Sequence, residues 1–309
     1  TLICWSDAAC YDTVITEGPF IYSESAMFDS CWALKVHGPD TLQGGFTTER
    51  VGDAIDVGDG FVMCGQERDL VLPSRIGRSS PMLSEAVTYL AKYSYSGVLK
   101  WYIYAAVDPL SPHDFPGEPA LAKATNGDVF FMDIGRNDRL WYHFNDGDSL
   151  APVPTNYSFG LVVMRLNARG RHVWHGYNTA GGGVAIAADP ENNVYVSGSD
   201  SGGGGNYRSN GVQYPNSAAG SQDLFILKLN GVGELVWQTY AEMERWNSRG
   251  IHDMTLDTVG GIYFAGAYDS DDVRFHSTDG SLSYTLDLIE ENNVQSMAVL
   301  FKYDVEGHF

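Results

Sequence analysis

Cysteine is absent from this chain after residue 64, and the four that occur (Cys4, Cys10, Cys31 and Cys64) all fall near its start. A disulfide framework stapling the whole fold is therefore excluded. Basic residues are scarce as well: 19 Lys and Arg stand against 39 Asp and Glu, a net charge of −20. Such a surface repels nucleic acid and anionic lipid, so neither is an expected partner. The carboxylates are dispersed, and no acidic tail accounts for the balance. Apolar runs of transmembrane length are missing, which argues against insertion by a helix, and no sustained 3.6-residue periodicity points to helices. Nucleophile and metalloprotease signatures, Gly-x-Ser-x-Gly and His-Glu-x-x-His, are absent.

What is present is a repeated strand pattern. With 35 Gly in 309 residues and many aromatics, the composition suits short strands joined by tight turns. Five apolar runs recur: Phe20-Ile21-Tyr22, Phe61-Val62-Met63, Val129-Phe130-Phe131, Val194-Tyr195-Val196 and Ile262-Tyr263-Phe264. Before each lies a turn of Gly, Asn, Asp or Glu, residues suited to tight hairpins. A later strand in every copy carries one basic residue in an apolar run: Lys35, Lys92, Arg165, Lys228 and Lys302. Trp101, Trp174 and Trp237 follow three of these at a fixed offset of nine positions.

Four strands per unit at a long period signal a β-propeller. The expected fold is all-β: five four-stranded antiparallel blades in a single domain over 1–309. The blades fall at about 10–49, 50–107, 118–180, 181–243 and 248–309, the last completed by 1–8. Residues 1–5 resemble Glu234-Leu235-Val236-Trp237 and would supply the missing outer strand, closing the ring and hiding its edges. The alternative is that the chain is a fragment of a larger propeller protein. The basic residues are expected to snorkel to the surface or to pair with carboxylates of their own or a neighbouring blade, rather than to form an anion site. The tryptophans are expected to pack between blades.

The pattern Asp189-x-x-Asn192-Asn193-Val194-Tyr195-Val196-x-Gly198, then Asp223-Leu224-Phe225-Ile226-Leu227-Lys228-Leu229-Asn230, then Gly233-x-Leu235-Val236-Trp237-x-Thr239-Tyr240, resembles the extracellular SBBP-type β-propeller repeat. Residues 181–243 match best, and 1–117 diverge. The resemblance implies a secreted or surface-displayed propeller and no specific enzyme.

The clustered cysteines suggest two disulfides in an oxidising compartment, with Cys4–Cys10 and Cys31–Cys64 the preferred pairing of three. Asn156-Tyr157-Ser158 is a glycosylation acceptor. Long connections at 66–85, 134–158, 199–222 and 267–295 are expected as loops on one rim, the interaction face. The glycine run at 202–205 precedes no helical pattern, so a phosphate cradle is not expected there. Asp269, Asp271 and Asp272 could offer oxygens to Ca²⁺, the one cofactor considered, although an acidic solvated loop fits the spacing better. Asp12, Asp53 and Asp253 lie at matching positions on the inner strands, where clustered carboxylates could act as acid and base, could hold a cation, or could simply satisfy backbone donors. His172 and His175 flank Trp174, and a zinc site there would need further ligands. The function expected is an extracellular structural or binding module that contacts protein subunits or glycans, with self-assembly into a surface filament or array as one form. The alternatives are a glycoside hydrolase using the funnel carboxylates and a calcium-dependent lectin.

Overall fold

The computed structural model describes residues 50–66, 71–81, 83, 86–106, 119–136, 141–144, 147–150, 159–178, 181–200, 206–214, 224–243, 251–268, 272–287 and 297–309. Among these residues there is no helix; every regular element is a strand. No helix is long and apolar enough to cross a membrane.

The strands form four sheets set around an axis in a β-propeller arrangement. The first contains β1 (Arg50–Asp56), β2 (Phe61–Gln66), β3 (Ala86–Tyr93) and β4 (Leu99–Ala106), paired in chain order. In the second, β5 (Ala120–Lys123), β6 (Val129–Arg136), β9 (Phe159–Leu166) and β10 (His172–Asn178) run from inside to outside. The third has β11 (Gly181–Ala188), β12 (Val194–Asp200), β15 (Leu224–Leu229) and β16 (Leu235–Met243). The fourth has three strands, β17 (Ile251–Leu256), β18 (Ile262–Tyr268) and β21 (Met297–Tyr303). The inner strands β1, β5, β11 and β17 pack side by side in that order. Four blades are thus described where five were expected. The segment assigned to the other blade, 10–49, and the closing segment 1–8 lie outside the described residues.

Each inner hairpin is built by its turn. Gly127 and Gly260 adopt positive φ of 81° and 89°, and Asn192 takes the same left-handed conformation at 65°. Asn tolerates that region better than other residues bearing a Cβ. The inner-to-second strand pairing slips by one residue at Val51/Asp53, Gly183/Ala185 and Ile251/Asp253, so three inner strands carry a β-bulge at the same place.

Among the described residues, three of the four long connections contain further paired strands. They fold back as hairpins that add two strands to the outer edge of the preceding blade. These are β7 (Trp141–Phe144) with β8 (Ser149–Leu150) beside β4, β13 (Tyr207–Ser209) with β14 (Val212–Tyr214) beside β10, and β19 (Asp272–His276) with β20 (Leu282–Asp287) beside β16. Three sheets therefore have six strands rather than four. The reason is the unmet backbone edge of each fourth strand, which a neighbouring hairpin satisfies.

The blades are fastened to one another by their tryptophans. Trp101 Nε1 donates to the Ala168 carbonyl at 3.1 Å, Trp174 Nε1 to Gly231 at 2.9 Å, and Trp237 Nε1 to Val305 at 2.9 Å. Each acceptor lies in the outer turn of the next blade. A glycine follows two residues later, Gly170, Gly233 or Gly307, with its Cα against the indole. The basic residue facing the Trp joins the latch in two blades: Arg165 also donates to the Gly231 carbonyl, and Lys228 to that of Val305 at 3.1 Å. The expectation of packing between blades is met in all three.

The third strands differ in exposure between blades with and without a described fourth strand. Leu90, Val163 and Ile226 sit at 1%, 0% and 0% exposure, while Leu300 at the same place in β21 is 73% exposed. Phe309 takes the position that His172 and Leu235 hold, stacking on Phe275 of the preceding blade's hairpin with centroids 4.5 Å apart.

Candidate functional site

The inner-strand carboxylates are placed by the shared bulge. Asp53 and Asp253 each follow it, and each accepts its neighbour's amide, from Ala54 at 2.7 Å and Met254 at 2.8 Å. The second oxygen of Asp53 accepts the amide of Leu121 on the next inner strand at 3.0 Å. Asp53 thus ties β1 to β5 by satisfying a backbone donor, the structural role considered for it from sequence. Asp253 is exposed on β17. Asp12 lies outside the described residues.

A buried polar seam runs between the first two described blades. Asp133, on β6, is 1% exposed and accepts the Tyr142 hydroxyl at 2.8 Å and the Ile134 amide at 2.8 Å. Burial pushes its carboxyl above the usual range, and the donated hydrogen bonds only partly oppose this. Tyr142 sits on β7, so one hydrogen bond fastens the added hairpin to the blade from which it departs. Cys64 lies close by at 0% exposure, its thiol facing the Pro119 carbonyl at 3.3 Å. Burial raises the thiol well above its ordinary range, which leaves it inert.

Cys64 is unbridged, so the Cys31–Cys64 disulfide expected from sequence is not formed. The physical reason is its position on the buried face of a second strand, enclosed by the next blade. Cys4, Cys10 and Cys31 lie outside the described residues. So do Asn156, Asp269 and Asp271. Asp272 opens β19, where its backbone pairs with Asp287. Among the described residues no group of three or more His, Cys, Asp or Glu side chains converges on a common point.

Three of the four described basic residues pair with carboxylates, as expected. Lys92 pairs with Asp59 at 2.6 Å, Arg165 with Asp128 at 2.7 Å and Lys302 with Asp257 at 3.4 Å, each joining a third strand to its own inner turn. Lys228 instead lies over the Tyr195 ring at 5.1 Å and reaches the next blade. No ring of uncommitted cations results, and Lys35 lies outside the described residues.

The outer hairpins are what sequence reading missed as sites. They carry large apolar side chains in solvent: Trp141 at 47% exposure, Val212 at 49%, Leu282 at 55% and Tyr284 at 51%. The alternation of Val273 and Phe275, buried, with Arg274, exposed, was the readable signal for one of them.

No protein-family model matches the chain, and no curated protein matches it in sequence.

Proposed function

We propose that this chain is an extracellular structural or binding module that contacts other protein subunits through the outer hairpins of its blades. The observation that carries this reading is the exposure of Val212, Leu282 and Tyr284 on the end strands of two six-stranded sheets, and of Trp141 on the hairpin that ends the third. Edge strands with apolar side chains offer both unpaired backbone groups and apolar area to a partner, and aromatic residues dominate the centres of protein interfaces. The fastening of each blade to the next gives a rigid frame on which such a surface can be held.

In this reading residues 10–49 form the fifth blade and the SBBP-type repeat supplies the family. A net charge of −20 keeps the module soluble and leaves assembly to apolar contact at the hairpins. A subunit of a surface filament or array is the concrete form, with a glycan as the other partner class. The test is light scattering across a concentration series together with a glycan array. A concentration-dependent assembly or a saturable glycan supports the proposal. A monomer at every concentration that binds no glycan removes it.

A further inference from the structure

The outer strand of each described four-strand core has a bulge one residue before its Trp. In the second described blade the pairing runs His172↔Leu166 and then Trp174↔Arg165, leaving Val173 extra. Without the bulge, residues three apart would face opposite sides of the strand. With it, His172 and His175 share one face, opposite Trp174. Their rings lie with centroids 5.2 Å apart, and His172 Nε2 is 3.1 Å from His175 Nδ1.

The neighbouring blades show that the scaffold does not require histidine there. The same slip occurs at Lys92/Tyr93 and Lys228/Leu229, where the paired positions hold Leu99 with Tyr102 and Leu235 with Gln238. Only the central of these three blades places two imidazoles side by side. Phe144 of the adjacent hairpin covers His172 at 6.0 Å between centroids, so one side of the pair is apolar and the other open to water.

We propose that His172 and His175 form a two-imidazole chelate for a borderline divalent transition-metal ion such as Zn²⁺, Ni²⁺ or Cu²⁺, with solvent completing the coordination. The distance between the two nitrogens carries the argument. Metal–imidazole bonds are about 2.0–2.1 Å, and two of them at right-angled to tetrahedral angles hold their nitrogens about 2.9–3.4 Å apart. The pair is already set at that span. On binding, the proton that the two nitrogens share moves to the outer nitrogen of its own ring, so His172 is protonated on Nδ1 and His175 on Nε2, and both inner lone pairs face the ion. Imidazole pairs suit these metals, and Ca²⁺ or Mg²⁺, which prefer oxygen, would not compete.

The experiment is calorimetric titration of the full chain with ZnCl₂, comparing wild type with His172→Asn, His175→Asn and, as a control, His252→Asn. One saturable site should weaken at least about tenfold in each of the first two variants and persist in the control. Paramagnetic resonance of the wild type with one equivalent of Cu²⁺ gives a readout that needs no variant, since two ligating nitrogens split the signal. Thermal melts confirm that each variant folds. Absence of saturable Zn²⁺ binding, equal binding in the asparagine variants, or a Cu²⁺ spectrum without two nitrogens overturns the proposal.

Discussion

Trp174 packs against Gly233 of the next blade, so close that a methyl group there would come within 2.7 Å of the indole. The same residues are tied by the hydrogen bond from the indole to the Gly231 carbonyl. Three successive blades repeat this contact, which explains both the fixed offset between the basic residue and Trp and the Gly that follows in the outer turn.

Substitution at these glycines separates two costs. Gly233 has φ +85° and is crowded, whereas Gly211 has φ +78° with nothing within 4 Å of an added Cβ. Gly211→Ala should cost about 1–2 kcal/mol from the left-handed backbone alone. Gly233→Ala should cost about 2–5 kcal/mol, because a displaced Trp adds overpacking strain of about 1–3 kcal/mol. Urea unfolding of both variants measures the difference, and equal losses would remove the Trp contact as a source of stability.

The ion pairs should divide by burial. Arg165 and Asp128 have side chains 15% and 10% exposed, and Arg165 also serves the Gly231 carbonyl. Arg165→Met should cost about 3–5 kcal/mol by stranding a buried carboxylate. Arg274 and Glu242 have side chains 44% and 40% exposed, so Arg274→Gln should cost about 0–1 kcal/mol. Chemical denaturation of the two variants reads the contrast.

Cys64 should resist alkylation in the native protein and react at once after unfolding. Peptide mass spectrometry with iodoacetamide before and after denaturant tests this. Recovery of a Cys31–Cys64 linked peptide from native protein would contradict the free, buried thiol seen here.

Asp257 supplies a pH-dependent contribution. The Gly261 amide, which donates to it at 2.7 Å, holds its carboxyl below the ordinary value of 3.8. A carboxylate lowered on folding adds stability that is present above 3.8 and lost as pH falls through the lower folded value. Melts between about pH 6 and pH 2.5 should therefore fall less steeply for Asp257→Asn than for wild type.

Much of this architecture was readable in the sequence. The second strands of all four described blades begin at Phe61, Val129, Val194 and Ile262, where the apolar runs begin. In three of those blades the basic residue and the tryptophan face each other across paired strands. These features are local: strand alternation, turn residues and a fixed offset. The outer hairpins were not readable in the same way. Strands such as Tyr207–Ser209 and Val212–Tyr214 have three residues each, and their pairing with β10 comes from a tertiary edge that no local pattern encodes. The inner carboxylates were located by spacing, but the Asp53–Leu121 bond that explains one of them joins separate blades.

The most direct test of the hairpin surface is solution size and glycan binding of a variant with Trp141→Ser, Leu282→Ser and Tyr284→Ser, measured beside wild type. All three side chains are half exposed, so the fold should survive, which a thermal melt verifies. Wild-type protein should assemble or bind, and the triple variant should lose that behaviour while remaining folded. A triple variant that assembles or binds as well as wild type would contradict contact through the hairpins.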